Sequence, residues 1–472
     1  MYRKSIAFTT TGLDFRLKEG RFRPARLDFR RKRACETWDN KISYSKQLND
    51  YYSIMSYNTH TLSNGLRIIH LPKQGEVVYC GYAINAGSRD EMPGEEGLAH
   101  FCEHMTFKGT AHRSPIQIIN TLELVGGELN AFTSKEDTFY YAAILKQHFT
   151  KAADLLTDIV FHSTYPQQDM EREMEVVCDE IESYRDSPAE LIYDEFENEV
   201  FAGHSIGHNV LGEKETVRNF RHEDCARFTR RLYRPDNSVF YVVGDIDFQR
   251  LVKGLEKSFA TDPVQSAYDA TTDRRTEDYA FSGMRSALLG ARKDDKEQMT
   301  HQSHVMMGTA FHGDTESRRI ALFLLNNILG GPSMNSRLNL SLRERRGLVY
   351  TVESNMTTYT DALLWNVYFG CDQHDVNRCI RLVKSELHKL AKAPLSAKAI
   401  AMAKRQIKGQ IALSADNSEN YAISMAKQFL HKGTLKSIPR LYENVDAVTP
   451  EQIHRLASEA LSDSQLFTLV FS

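Results

Sequence analysis

Beyond Tyr57 the chain alternates two hydrophobic patterns. Short runs rich in branched and aromatic residues, LRIIHL (66–71) and VVYCGYAIN (77–85), predict strands. They are followed by stretches whose apolar residues recur every three or four positions, which predict helices near 95–108, 115–125, 147–161 and 222–233. GGELNAFTSKEDTFYYAAIL (126–145) opens on a glycine pair and runs into a strand, and RPDNSVFYVVGD (234–245) reads as a turn into a buried strand.

The second half repeats this plan. SHVMMGTAFHGD (303–314) is a strand and polar turn, RRIALFLLNNILGG (318–331) a helix ending in glycines, and ALLWNVYFGC (362–371) a strand that matches TFYYAAIL. TPEQIHRLASEAL (449–461) is a helix with Thr449 as N-cap and Pro450 at its first turn, and SDSQLFTLVF (462–471) is again turn and strand. Setting Thr449 against Arg221 gives a repeat spacing near 228 residues, which points to a tandem duplication. The expected organisation is therefore a leader at 1–56, a first domain at 57–261, a polar linker at 262–299 and a homologous second domain at 300–472. The fold class is α+β, as two similar domains of sheet packed with helices.

Composition narrows the function. The 472 residues exceed what one hydrophobic core organises, and 41% hydrophobic with 26% charged residues is ordinary for globular chains. A net charge of −3 gives no general attraction to nucleic acid or an anionic membrane, and no apolar run approaches a membrane span. The first 50 residues stand apart, with 13 Lys and Arg against 6 Asp and Glu, including RFRPARLDFRRKR. They are expected to be a disordered tail or a mis-assigned start before Met55; a mitochondrial-type targeting segment is the alternative, against which Asp14, Glu19 and Asp28 count. Seven scattered cysteines with no CxxC pair argue against a disulfide framework and favour a reducing compartment such as the cytoplasm.

The chemistry concentrates in HFCEH (100–104). At about 100° per residue, His100, Glu103 and His104 share one helix face, while Leu98, Phe101 and Met105 form the opposite apolar stripe and Cys102 lies toward it. Two imidazoles at i and i+4 can grip one ion, and the glutamate between them can reach a water on that ion without ligating it. The corresponding helix of the second half, around FLLNN, has no histidine. A catalytic zinc takes three protein ligands and keeps a fourth position open. MEREMEVVCDEIESY (170–184) offers the third. On its wheel Glu175, Asp179 and Glu182 face solvent, while Glu173 and Glu180 enter the apolar arc, where a carboxylate is costly without a cation or partner. Glu180 is therefore the expected third ligand and Glu173 the group that orients a ligating histidine.

With HFCEH, Glu180 76 residues past His104, ELNAFTSKEDTFYY (128–141) and LRERRGLVY (342–350), residues 57–472 resemble the pitrilysin/insulinase family of zinc metallopeptidases, and within it the half-length, processing-peptidase-like branch. The resemblance implies two α/β-roll domains and a bound Zn2+. It also implies a substrate-binding edge strand carrying Asn130, Ala131 and Phe132, and an Arg343 and Tyr350 that contact substrate. A chain of this length supplies half of the family's four-domain chamber, so a homodimer, or a heterodimer with a homologous subunit, is expected, with Arg343 and Tyr350 serving the partner's site.

The expected activity is hydrolysis of peptides or unfolded segments, with Glu103 as general base. The rival readings are a catalytically idle scaffold or assembly subunit of the same fold, which has no need for Glu103 beside intact ligands, and a purely structural zinc, which would want a closing fourth ligand.

Overall fold

The computed structural model describes residues 57–261, 288–289, 302–312, 316–460 and 466–471. The leader at 1–56 and most of the expected linker lie outside them.

The first half is built on strands β1 (Asn58–Thr61), β2 (Arg67–Pro72), β3 (Val77–Ile84), β4 (Glu128–Thr133), β5 (Thr138–Leu145) and β6 (Ser238–Gly244). Its order is β1-β2-β6-β3-β5-β4, antiparallel except where β2 runs parallel to β6. SVFYVVG is buried along its whole length, as a central strand covered on both faces must be. ELNAFT has no fully buried position and exposes Glu128 and Asn130, as suits an edge. The longer helices of this half are α1 (Leu98–Thr106), α2 (Pro115–Glu123), α3 (Phe149–Phe161), α4 (Gln167–Arg185), α5 (Pro188–Val200), α6 (His222–Leu232) and α7 (Phe248–Thr261).

The strands and longer α-helices of the second half are β7 (Leu288–Leu289), β8 (Ser303–His312), α8 (Glu316–Gly330), β9 (Val349–Thr358), β10 (Ala362–Cys371), α9 (Val376–Lys392), α10 (Ala397–Asp416), α11 (Ser418–Lys432), α12 (Ile438–Ala447), α13 (Pro450–Ala460) and β11 (Phe467–Phe471). Its sheet order, β7-β11-β8-β10-β9, repeats the first sheet strand for strand without β1. Leu288–Leu289 runs parallel to β11 as β2 does to β6. This corrects the expected linker, because the second sheet already begins inside 262–299; two apolar residues in a polar stretch carry too little periodicity to show it. The N-cap of α13 is as expected, with Thr449 Oγ1 accepting from Gln452 N and the Gln452 side chain accepting from Thr449 N.

One face of the first sheet packs on its own helices, with Tyr82, Phe101, Tyr140, Leu155 and Phe240 at the centre. Its other face, Ile69, Ala83, Phe139, Val239 and Tyr241, is covered by α11 of the second half through Ala422, Met425, Ala426 and Phe429. The exchange is reciprocal: α5 of the first half covers the second sheet, Ile192 and Phe196 meeting Met306, Ala310, Leu364 and Phe467. Each large apolar side chain buried this way contributes about 1.5–3 kcal/mol, so the two halves hold one another in a fixed relation. Arg67 adds to this by donating to the C-terminal carbonyls of Phe429 and Leu430, where the end of α11 favours a cation.

Hairpin tips repeat the exchange in polar form. Asp137, at the β4–β5 tip, accepts from Lys427 Nζ at 2.8 Å and from His431 Nε2 at 3.0 Å on α11. Asp361, at the β9–β10 tip, faces His204 Nε2 at 3.4 Å just beyond α5, and pairs with the buried Arg89. Arg89 also donates to Glu136 at 2.7 Å, and Glu136 accepts from Thr360 Oγ1 at 2.6 Å.

Candidate metal centre and active site

Helix α1 is anchored on its apolar side by Leu98, Phe101, Cys102 and Met105, all fully buried. Its start is held by an acidic residue outside the helix: the Glu91 carboxylate accepts from Ala99 N at 2.7 Å and Gly97 N at 3.0 Å, and His208 Nε2 lies 2.9 Å from it. Gly97 has φ 95°, and a Cβ there would come within 2.6 Å of Leu211 O, so this turn admits only glycine. The helix therefore enters the site at a fixed angle.

From α1 the side chains of His100, Glu103 and His104 project toward α4, which brings Glu180 to them. Glu180 Oε2 lies 3.4 Å from His104 Nε2 and 3.9 Å from His100 Nε2. Donor atoms of His100, His104 and Glu180 all fall within 4.8 Å of one another. A tetrahedral zinc with bonds of about 2.0–2.1 Å needs ligand atoms separated by about 3.4 Å, so this donor set fits the ion after small side-chain adjustment.

His100 gives independent support. It is 5% exposed, its Nδ1 is buried with no hydrogen-bond partner among the described residues, and its Nε2 is beyond hydrogen-bond reach of Glu180. Burying an imidazole so poorly satisfied is costly unless it holds something.

Glu173 lies behind His104, one face-repeat before Glu180. Its Oε1 is 3.0 Å from His104 Nδ1 and its Oε2 is 2.5 Å from Lys108 Nζ. A carboxylate that only accepts makes Nδ1 the donor, so Nε2, the nitrogen that faces Glu180, is the one that would hold a metal once it has lost its proton.

Electrostatics separate these groups. Burial, reinforced by His104, pushes His100 down to about 3. His104 is also buried, but the carboxylates of Glu173 and Glu180 outweigh that and raise it to about 9, so the pocket demands a positive charge there. Glu173 and Glu180 both stay below the ordinary glutamate range despite burial, because of hydrogen bonds from His104, joined at Glu173 by Lys108. Glu103 moves the other way: burial raises it to about 7, against the lowering effects of His104 and of its hydrogen bond from Thr133. The site thus holds a pair of carboxylates with opposed proton affinities, an arrangement suited to one charge-stabilising and one proton-transferring role.

The edge strand β4 ends beside this cluster. Thr133 Oγ1 donates to Glu103 Oε2 at 2.6 Å. Asn130 is exposed, Ala131 and Phe132 are half-buried, and Phe132 stacks on Phe139 with ring centroids 4.8 Å apart. β4 pairs with β5 on one side and is the last strand of its sheet. Arg343 and Tyr350 lie elsewhere, exposed at the start of the second sheet's edge strand and just before it, and are not part of the histidine–glutamate cluster. Sequence reasoning missed Thr133, Lys108, Glu91 and His208. Thr133 directly follows the NAF run, and Lys108 lies four residues past His104, but their partners are set by strand register and helix contact. The Glu91–His208 pair joins two irregular loops and leaves no sequence signal.

Comparison with known proteins identifies the family. Residues 68–214 match the model of the insulinase family, peptidase family M16, and residues 219–407 that of the peptidase M16 inactive domain. An uncharacterized zinc protease of Bacillus subtilis is 31% identical over 413 residues, covering 87% of this chain and 97% of its own. Another, from Streptomyces coelicolor, is 33% identical, covering 85% and 86%. Among solved structures, a protease from Helicobacter pylori superposes with a TM-score of 0.78 at 22% identity, over 88% of this chain and 99% of that one. The fold, the duplicated sheets and these relatives lead to one conclusion: the chain belongs to the insulinase family of peptidases, M16, in a half-length form.

Proposed function

We propose that this chain is a zinc metalloendopeptidase that hydrolyses peptides or unfolded polypeptide segments, in the manner of a processing peptidase. The observation that carries the reading is the meeting of His100, His104 and Glu180, with donor atoms within 4.8 Å of one another, and the nearby Glu103, whose carboxyl feels the charges of His104 and Glu180. That the relatives are named zinc proteases supports it.

In this reading His100, His104 and Glu180 hold Zn2+, and Glu173 keeps the His104 ring in its ligating orientation. A bound zinc supplies Lewis acidity toward water and toward a carbonyl oxygen. Glu103, raised to about 7 by burial, takes a proton from the attacking water and passes it to the leaving amine; a base poised near neutrality is suited to both transfers. Substrate adds as a strand along β4, its backbone meeting Asn130, Ala131 and Phe132. The exposure of Arg343 and Tyr350 supports their assignment to a neighbouring active site in a homodimer, or in a heterodimer with a homologous subunit, where they would donate to the developing oxyanion.

A reducing compartment such as the cytoplasm suits the six described cysteines, all buried and unpaired by disulfides. Among the described residues no helix is long and apolar enough to cross a membrane.

The test is Glu103→Gln, assayed on a mixed peptide library with metal content measured in parallel. Hydrolysis should fall by at least about 1,000-fold while zinc stays bound. A variant that keeps most of the activity removes Glu103 from its role.

A further inference from the structure

A general base must present one carboxylate oxygen in a fixed direction, and a glutamate on a helix has three torsions with which to lose it. Glu103 is only 4% exposed, and its Oε2 is taken up by the 2.6 Å hydrogen bond from Thr133 Oγ1. A hydroxyl has one proton to give, and the carboxylate receives it.

Thr133 is itself well held. It is the last residue of β4 and pairs in register with Thr138, whose own hydroxyl donates to Ala86 O at 2.8 Å. Its β-branched side chain has restricted χ1 freedom, and its neighbour Phe132 is fixed by the stack on Phe139.

From this geometry we infer that Thr133 is the positioning residue of the active site: its hydroxyl fixes the Glu103 carboxylate plane, reserving Oε1 for proton transfer. The consequence goes beyond a local hydrogen bond. Thr133 belongs to the strand on which the substrate would add, so the strand that aligns the peptide also aligns the base. The inference rests on the peptidase reading above.

The experiment compares Thr133→Val, which keeps shape and loses the donor, with Thr133→Ser, which keeps the donor. Full-length protein is used, with metal content, kcat and KM on one cleavable peptide, and a crystal structure of the valine variant. Thr133→Val should lower kcat about 10- to 100-fold with KM within about twofold and zinc content unchanged, and its Glu103 carboxylate should be turned from the wild-type position. Thr133→Ser should restore kcat to within about threefold of wild type. If the valine variant does not fold, Thr133→Ala carries the same comparison. A valine variant with wild-type kcat, or a serine variant as impaired as the valine one, overturns the inference. An undisturbed Glu103 in the variant crystal overturns it even without a cleavable substrate. Failure of the peptidase reading would look different: wild type and Glu103→Gln would be equally inactive on every peptide.

Discussion

Asp137 and His431 lie 294 residues apart in the chain, yet His431 Nε2 sits 3.0 Å from Asp137 Oδ2 across the boundary between the two halves. Lys427 joins the same carboxylate at 2.8 Å. The Asp137 side chain is 1% exposed, and it stays ionised in the interior because these two cationic partners, with a hydrogen bond from Ser134 Oγ at 2.6 Å, hold it there. Asp361 and His204 make the matching contact at the other hairpin tip.

Replacing Asp137 by Asn should therefore loosen α11 from the first sheet. With Lys427 partly open to solvent, the cost is about 2–3 kcal/mol, below that of a fully buried pair. Urea unfolding should show a lowered midpoint, and hydrogen exchange should speed in 418–432 before the rest of the second half. Unchanged exchange in α11 would contradict the assignment.

The same aspartates set an acid limit. Burial alone would raise Asp137, but Lys427 and His431 outweigh it and hold the carboxyl well below its ordinary range; His204 and Arg89 do the same for Asp361. Since the folded values lie below the unfolded one, near 3.9, their stabilisation is fully present above about pH 5 and is lost as pH falls through about 4 and below. The urea midpoint should drop over that range, and drop less in a variant carrying both Asp137→Asn and Asp361→Asn. Equal slopes for the two proteins would rule this source out.

Gly97 offers a test of how α1 is aimed. Alanine there meets both the positive φ and the approach of Leu211 O at 2.6 Å. Gly97→Ala should cost about 1–3 kcal/mol and weaken metal retention by displacing His100 and His104 together. Gly94 also has a positive φ but nothing within 4 Å, so Gly94→Ala should strain the backbone without moving the helix. Thermal midpoints and zinc affinities of the pair decide it; equal zinc affinity in both would count against a fixed helix entry.

Glu173 touches the proposed ion only through His104. Glu173→Ala should raise the zinc Kd about 10- to 100-fold, while Glu180→Ala, which removes a donor atom, should raise it further. Competition with a chromophoric chelator measures both, and an unaltered Kd for Glu173→Ala would remove its orienting role.

Much of this was legible in the sequence, for identifiable reasons. The face shared by His100, Glu103 and His104 follows from helix geometry alone, and Glu173 and Glu180 stood out because carboxylates inside an apolar arc need a partner. The duplication showed in matched runs such as TFYYAAIL and ALLWNVYFGC, and the sheets repeat in the same order. What stayed hidden depends on contacts between distant segments. The apolar faces of α5 and α11 announce burial but not that each covers the other half's sheet. Leu288–Leu289 is too short to carry a strand pattern. The bond from Thr133 to Glu103 exists only once β4 is laid beside α1.

The most direct measurement is the metal content of the purified full-length chain by elemental analysis, alongside His104→Ala and Glu180→Ala. The account predicts about one zinc per wild-type chain, removable by chelator with loss of peptide hydrolysis, and markedly less in both variants. A folded wild-type protein that takes up no zinc at micromolar concentration, or variants that bind it as well as wild type, would contradict it.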